Sequence, residues 1–382
     1  MRFLHTADWH LGRYFHGASL LDDQAHVLDQ FVDLARSEGV DAVVIAGDVY
    51  DRAVPPADAV ALLDDILSRL VVGAGIPVIV IAGNHDSAER IGFGGRIFEK
   101  QKLILRGALD NLESVVLSDH HGKVAFYPLP YAEPTFVRAL PGADQVTDHQ
   151  SAMSHVVDRL RAQRQPGQRN VLVGHAFVAG GSESESERPL SVGGSGMVAV
   201  DTFDGFDFVA LGHLHRPQAV GSERVRYSGS LLKYSFNEVD HRKSVSLVEL
   251  GPEGQLAVTP YALTPRRDMR IVTGRLVDLL NLPDPHFSRD DYLCAHLTDT
   301  DPVLDPMARL REVYPNMMEL RFAQPAAGAG AAREAGDHRR RQPEDLFRAF
   351  YRDMVDAEIS DAALNAFNEA ARSLANDGAA TR

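Results

Sequence analysis

The chain's 382 residues exceed one compact domain of common size, and 45% hydrophobic against 24% charged residues supplies an ample core. A formal charge of −14 excludes duplex binding by overall positive charge, while leaving room for a local basic groove. The single cysteine, Cys294, excludes an intrachain disulfide, and no apolar run approaches a membrane span, so no membrane partner is expected and the expected compartment is the cytoplasm.

Residues 2–5 read as a short strand, and the run Ala7-Asp8-Trp9-His10-Leu11-Gly12 places Asp8 and His10 at or just past its C-terminal end, where open α/β sheets carry their ligands. Residues 22–36 have helical spacing, with Val27, Leu28, Phe31, Leu34 and Ala35 in one stripe. Residues 40–46 form a buried strand closed by Gly47-Asp48-Val49-Tyr50-Asp51. After Pro55 and Pro56 a second helix carries Leu62, Leu63, Ile66, Leu67 and Leu70. Residues 77–82 are a third strand that runs into Gly83-Asn84-His85-Asp86. This alternation implies parallel pairing with helices on the sheet faces.

Residues 124–130, 171–173 and 208–211 read as further strands, the last two closed by Gly174-His175 and Gly212-His213-Leu214-His215. The Gly-, Ser- and Glu-rich run 180–196 is either a mobile loop beside a site or solvated surface; it lacks the Lys-Ser/Thr of a nucleotide P-loop. Strands at 225–227, 244–250 and 256–262 are expected to finish the sheet region in antiparallel pairing. Residues 1–265 thus make one large domain. A small α+β module follows at 266–324, with strands at 270–274, 292–297 and 319–322 and a helix at 306–313. The Ala/Gly-rich, then arginine-containing stretch 325–342 reads as a linker. Residues 343–377 hold two amphipathic helical segments, with Leu346, Phe347, Phe350 and Met354 on one face of the first and Leu364, Phe367, Ala371 and Leu374 on one face of the second.

Five loops repeat one pattern: Asp8-x-His10, Gly47-Asp48-x-x-Asp51, Gly83-Asn84-His85-Asp86, Gly174-His175 and Gly212-His213-x-His215. All follow apolar strand-like runs, and four carry a glycine directly before a candidate ligand, which permits close backbone approach. Carboxylates, one amide oxygen and imidazoles without cysteine exclude a zinc knuckle or iron–sulfur site and suit manganese, iron or zinc in an open catalytic centre. The donors are too many for one ion. A bridging carboxylate would hold two ions about 3.5–4 Å apart, a pair able to bind a phosphodiester and activate water without a covalent intermediate.

These motifs, in this order, resemble the calcineurin-like metallophosphoesterase superfamily. The fuller runs His5-Thr6-Ala7-Asp8-Trp9-His10-Leu11-Gly12, Gly212-His213-Leu214-His215-Arg216-Pro217 and Arg226-Tyr227-Ser228-Gly229-Ser230 resemble the bacterial SbcD nuclease family. The resemblance implies an α/β fold, a calcineurin-like β-sandwich flanked by helices, with an α+β capping domain for DNA recognition and a C-terminal helical tail. It implies that Asp8, His10, Asp48 and His215 hold one metal and that Asp48, Asn84, His175 and His213 hold the other, with manganese the expected ion. His85 would serve the scissile phosphate and leaving oxygen, and Asp86 would orient its imidazole or cap the following helix.

The implied activity is a two-metal DNA nuclease, exonuclease on duplexes and endonuclease on single strands and hairpins, in DNA repair and replication-fork processing. The implied partners are DNA, an SMC-like ATPase subunit gripping the C-terminal helices, and a second copy of the chain contacting helices that carry Leu62, Leu63, Ile66 and Phe98; the implied location is beside the nucleoid. Two other readings stay open, a small-molecule or cyclic-nucleotide phosphodiesterase and a catalytically weak scaffold for the ATPase.

Overall fold

A computed structural model of the chain describes residues 1–187, 190, 196–281, 288–299 and 303–322, together with positions 344, 347, 348, 351, 359, 360, 364 and 367. It divides into two units, Met1–Ala323 and Gln324–Arg382.

In the first unit, Val43-Val44-Ile45-Ala46 and Val78-Ile79-Val80-Ile81 are unbroken apolar runs because both faces of their strands are covered. Alternate residues go to opposite layers. Leu4, Val43, Ile45, Val78 and Val80 meet helices Leu21–Ser37 and Ala57–Ser68, while Phe3, Val44 and Ile79 meet a second sheet. The first sheet runs in the order Leu256–Ala262, Ser244–Leu250, Arg2–Thr6, Ala42–Ala46, Val78–Ile81, Leu103–Arg106, and its last four strands are mutually parallel. Ser244–Leu250 and Leu256–Ala262 add antiparallel at one edge.

The second sheet is ordered Gln218–Val220, Ser222–Tyr227, Phe208–Gly212, Arg169–His175, Gly122–Pro128, Val115–Asp119. Its inner residues Phe126, Val171 and Phe208 close the sandwich against Phe3, whose ring meets Phe126 edge-on at 5.4 Å. Its outer face is covered by helix His149–Arg161 through Met153, Val156, Val157 and Leu160. One expectation is corrected here. The strand over 225–227 pairs antiparallel on one side only, with the short hairpin strand Gln218–Val220; on its other side Ser222–Tyr227 lies parallel to Phe208–Gly212.

Five parallel strands, three in one sheet and two in the other, therefore end on the same side of the sandwich with a loop each: Arg2–Thr6, Ala42–Ala46, Val78–Ile81, Arg169–His175 and Phe208–Gly212. Beyond them, strands Met269–Gly274, Tyr292–Leu297 and Met317–Phe322 form a parallel sheet. Its crossovers include helices Leu276–Asn281 and Pro306–Val313, and its own core holds Leu276, Leu293, Leu297, Leu310 and Met317. Asp23 on the first helix ties it down: Oδ2 accepts Arg267 Nη1 and Tyr292 OH, each at 2.9 Å.

Ile66 is fully buried under the first sheet, which removes it from the set expected at a contact between copies. Leu62 and Leu63 are half-buried on the same core, whereas Phe98 and its neighbour Ile97 are exposed. No helix among the described residues is long and apolar enough to cross a membrane. The stretch expected to be a linker, 325–342, lies outside the described residues. In the second unit, the described positions 344, 347, 348, 351, 364 and 367 are helical, and the Phe347 and Phe367 rings stack at 4.0 Å.

Candidate metal centre

The first two loops are laced together by their backbones. Asp8 N–H donates to the Gly47 carbonyl and His10 N–H to the Asp48 carbonyl, both at 3.0 Å. To point inward, Asp8, His10, Asp48 and His213 take positive φ of 53°, 47°, 47° and 110°. Such angles are sparsely populated by side-chain-bearing residues and mark a local constraint. Two glycines make room for the donors: a Cβ on Gly47 would stand 2.4 Å from His175 Nδ1, and one on Gly83 2.2 Å from Asp48 Oδ1.

Asp8, His10 and His215 form one buried group whose donor atoms all lie within 4.8 Å; Asp8, Asp48 and His175 form a second. Asp48 Oδ2 lies 3.7 Å from His10 Nε2 and 3.4 Å from His175 Nε2, so it stands between the groups. Asp8 is a member of both groups, where the resemblance implies Asp48 alone as the shared carboxylate. Asn84 Oδ1 is 2.9 Å from His175 Nε2 and 3.3 Å from His213 Nδ1. All seven residues expected as ligands thus lie in one cluster.

His85 lies beside it, its ring 4.7 Å from that of His10. His85 Nδ1 donates to the Asp51 carbonyl at 2.9 Å, which leaves Nε2 as the outward nitrogen. Asp86 does neither of the things expected of it. Its carboxylate accepts the backbone N–H groups of Val49, Tyr50 and Gly83 at 3.1, 2.9 and 2.9 Å, bracing the two ligand loops against each other. Ser87, not Asp86, caps the following helix, and the Asp51 carbonyl, not Asp86, holds the His85 ring.

Burial, then the charge of Asp48 against the opposing pull of His175, holds the Asp8 carboxyl well above the usual carboxylate range. Asp48 stays well below it in spite of its burial, because His175, His85 and His10 surround it. Burial lowers His10 and His213 well below the ordinary imidazole value, and His215 to about 4 against the pull of Glu238. For His175 burial is outweighed by Asp48, and its pKa rises to about 9. Burial and then Asp48 push Asp86 up to about 6.

The donor set fits divalent cations on this structure's own terms. Asp8 Oδ2 and His10 Nδ1 are buried without a hydrogen-bond partner, and the buried carboxylates of Asp8 and Asp48 face the imidazoles of His10, His175 and His215, a mixed oxygen and nitrogen set. His175 Nδ1 donates to the Ala46 carbonyl at 2.9 Å, the backing that turns Nε2 toward a metal.

Sequence reasoning missed a further shell. Arg13 lies over the Tyr234 ring at 4.9 Å and reaches Asp51 Oδ1 at 3.2 Å, while Tyr234 OH donates to the Trp9 carbonyl at 2.5 Å. Glu238 and Lys243 form a buried pair with Nζ–Oε2 2.6 Å. The Ser/Glu-rich run, read as mobile loop or solvated surface, packs Ser184, Ser186 and Glu187 onto His215 and Glu238.

Residues 1–217 match the family model described as calcineurin-like phosphoesterase, and residues 265–355 match the model described as the type 5 capsule protein repressor C-terminal domain. The chain is 32% identical over 369 residues to the SbcD subunit of the SbcCD nuclease of Staphylococcus epidermidis, covering 94% of this chain and 95% of that protein. Among solved structures, a dimetal phosphatase from Danio rerio aligns with TM-score 0.43 at 15% identity, over 69% of this chain and 96% of that one. A protein of Thermus thermophilus aligns with TM-score 0.40 at 14% identity, over 68% and 98%.

Proposed function

The chain belongs to the SbcD family of calcineurin-like metallophosphoesterases, and from that premise we propose that it is a two-metal DNA nuclease. It would cut phosphodiester bonds at duplex ends and in single-stranded or hairpin DNA. The observation that carries this reading is the placement of Asp48 Oδ2 between two donor groups, 3.7 Å from His10 Nε2 and 3.4 Å from His175 Nε2.

In this reading Asp8, His10, Asp48 and His215 hold one ion and Asp48, Asn84, His175 and His213 the other, with manganese the ion. Bound there, the pair supplies Lewis-acid charge to a phosphodiester and acidifies an attacking water. Asp48 binds and, through the His85 N–H, sets the loop that carries His85. His85 is seated by its Nδ1–H bond to the Asp51 carbonyl, and as the imidazolium it would offer a second proton, at Nε2, to the departing oxygen. Asp86 keeps the two loops at fixed separation. The sheet module at 266–322 would act as a DNA-recognition cap.

The relative's name makes it one subunit of a larger nuclease, which supports a partner subunit for this chain; the partner we propose is an SMC-like ATPase, docked on residues 343–377. A second copy would dock on exposed apolar side chains, Val60 on helix Ala57–Ser68 and Ile97 and Phe98 on helix Gly95–Phe98. Cytoplasm, beside the nucleoid, is the proposed location. The deciding experiment gives the purified chain manganese and compares cleavage of end-labelled hairpin DNA with hydrolysis of bis(p-nitrophenyl) phosphate. Cleavage of the hairpin is expected; hydrolysis of the small diester alone would refute the assignment.

A further inference from the structure

His215 is the best-restrained donor in the cluster. It is 1% exposed, and each of its polar atoms has a partner, Nε2 facing His10 Nε2. The backbone N–H donates to Glu187 Oε1 at 2.6 Å, and the carbonyl accepts Lys243 Nζ at 2.8 Å. Ring Nδ1 lies 2.5 Å from Ser186 Oγ. The same Oγ contacts Glu238 Oε1, and Lys243 Nζ closes the circuit on Glu238 Oε2 at 2.6 Å. Glu238 is fully buried and Lys243 7% exposed, so solvent hardly screens the pair. Ser184 in turn fastens Glu187, its N–H donating to Oε2 at 2.6 Å and its hydroxyl to Oε1 at 3.0 Å.

The chemistry of these groups fixes the direction of every hydrogen. An ionised carboxylate only accepts, so the Ser186 hydroxyl donates to Glu238. Its oxygen then has lone pairs alone to offer His215 Nδ1, and Nδ1 must carry the ring hydrogen. Nε2 is left as a bare lone pair, 3.1 Å from His10 Nε2 and within the donor group that includes Asp8.

We infer that the turn at residues 184–187, backed by Glu238 and Lys243, is a positioning device that fixes the tautomer and seat of His215 for a divalent cation. The inference rests on the reading of His215 as a ligand. Ser186 is its central residue, and it stands in a run whose composition alone suggests solvated surface. Groups that orient a ligating imidazole typically carry 10- to 100-fold in metal affinity.

Calorimetric titration of the full chain with Mn2+, paired with 15N spectra of the histidine rings, tests it. Ser186→Ala should weaken one of two manganese sites by about 10- to 100-fold, leave the other unchanged, and abolish the Nδ1-protonated signature of His215. Ser186→Thr should restore both readouts. Glu183→Gln, an exposed change in the same loop, should alter neither. Parental affinity at both sites in Ser186→Ala overturns the inference; so does equal weakening of both sites together with a lowered Tm, which would make the turn a support of the fold. His215→Ala separates the two levels. If it binds two manganese ions as the parent does, the ligand reading fails; if it loses a site while Ser186→Ala does not, the positioning role alone fails.

Discussion

Asp48 Oδ1 accepts the backbone N–H of His85 at 2.9 Å, while Asp48 Oδ2 faces His10 and His175. One carboxylate therefore connects the proposed metal donors to the proposed leaving-group histidine. Asp48→Ala should abolish cleavage, lower manganese stoichiometry below that of the parent and leave the circular dichroism spectrum unchanged. Parental turnover would remove the two-metal reading.

His85→Gln should separate from it. The ring is held by the Asp51 carbonyl rather than by a member of the two main donor groups, so metal content and DNA binding should persist. Turnover should fall by about 10²- to 10⁴-fold, the usual range for a positioned acid–base group. His85 also shares a donor group with His10 and Asp51, so metal analysis beside kinetics is decisive: a loss of metal equal to that of Asp48→Ala would make His85 a ligand.

The pair Arg169–Asp119 joins neighbouring parts of the second sheet, with Nη1–Oδ2 3.0 Å and Nη2–Oδ1 2.6 Å, and both side chains are nearly buried. Arg169 holds the Asp119 carboxyl well below the usual carboxylate range. A depressed acid contributes stability above its unfolded pKa and loses it as pH falls through that value toward the folded one. Asp119→Asn should cost about 3–5 kcal/mol at neutral pH, since it removes the one carboxylate that pairs with both the Arg169 guanidinium and the Met1 ammonium, each nearly buried. The gap between parent and variant in urea denaturation should narrow as pH is lowered below about 4, the unfolded carboxyl's range. A gap independent of pH would show that the ionised carboxylate is not its source.

Met1–Ala323 is a unit by its own internal contacts, so a chain ending at Ala323 should fold and keep manganese-dependent cleavage of single-stranded DNA. It should lose co-purification with an ATPase partner and any ATP stimulation. Unfolding or loss of intrinsic cleavage would place the tail within the nuclease's own structure.

The donors are legible in the sequence because each sits where an apolar run stops, usually behind a glycine that the neighbouring loop needs for space, as Gly83 does for Asp48. Their supports are not. Ser186 meets His215 across 29 residues and Glu238 across 52, and no local pattern reports such a meeting. Lys243 follows His241 and Arg242 and reads as surface charge, yet it is buried against Glu238. Helix His149–Arg161 is not among the elements expected from the sequence, although its signals are there: Asp148 caps it, and Met153, Val156, Val157 and Leu160 share a face. The parallel course of Ser222–Tyr227 carries none, because strand direction depends on the path of the hairpin before it.

The left-handed backbone at Asp8, His10, Asp48 and His213 has a consequence for how these positions can change. Each conformation costs a side-chain-bearing residue on the order of 1 kcal/mol, and glycine would relieve it. At those four positions the substitution that most relaxes the chain is also the one that deletes a donor. Relief of backbone strain and retention of a donor therefore exclude each other at the same residues, so a local relaxation there always comes with a missing donor.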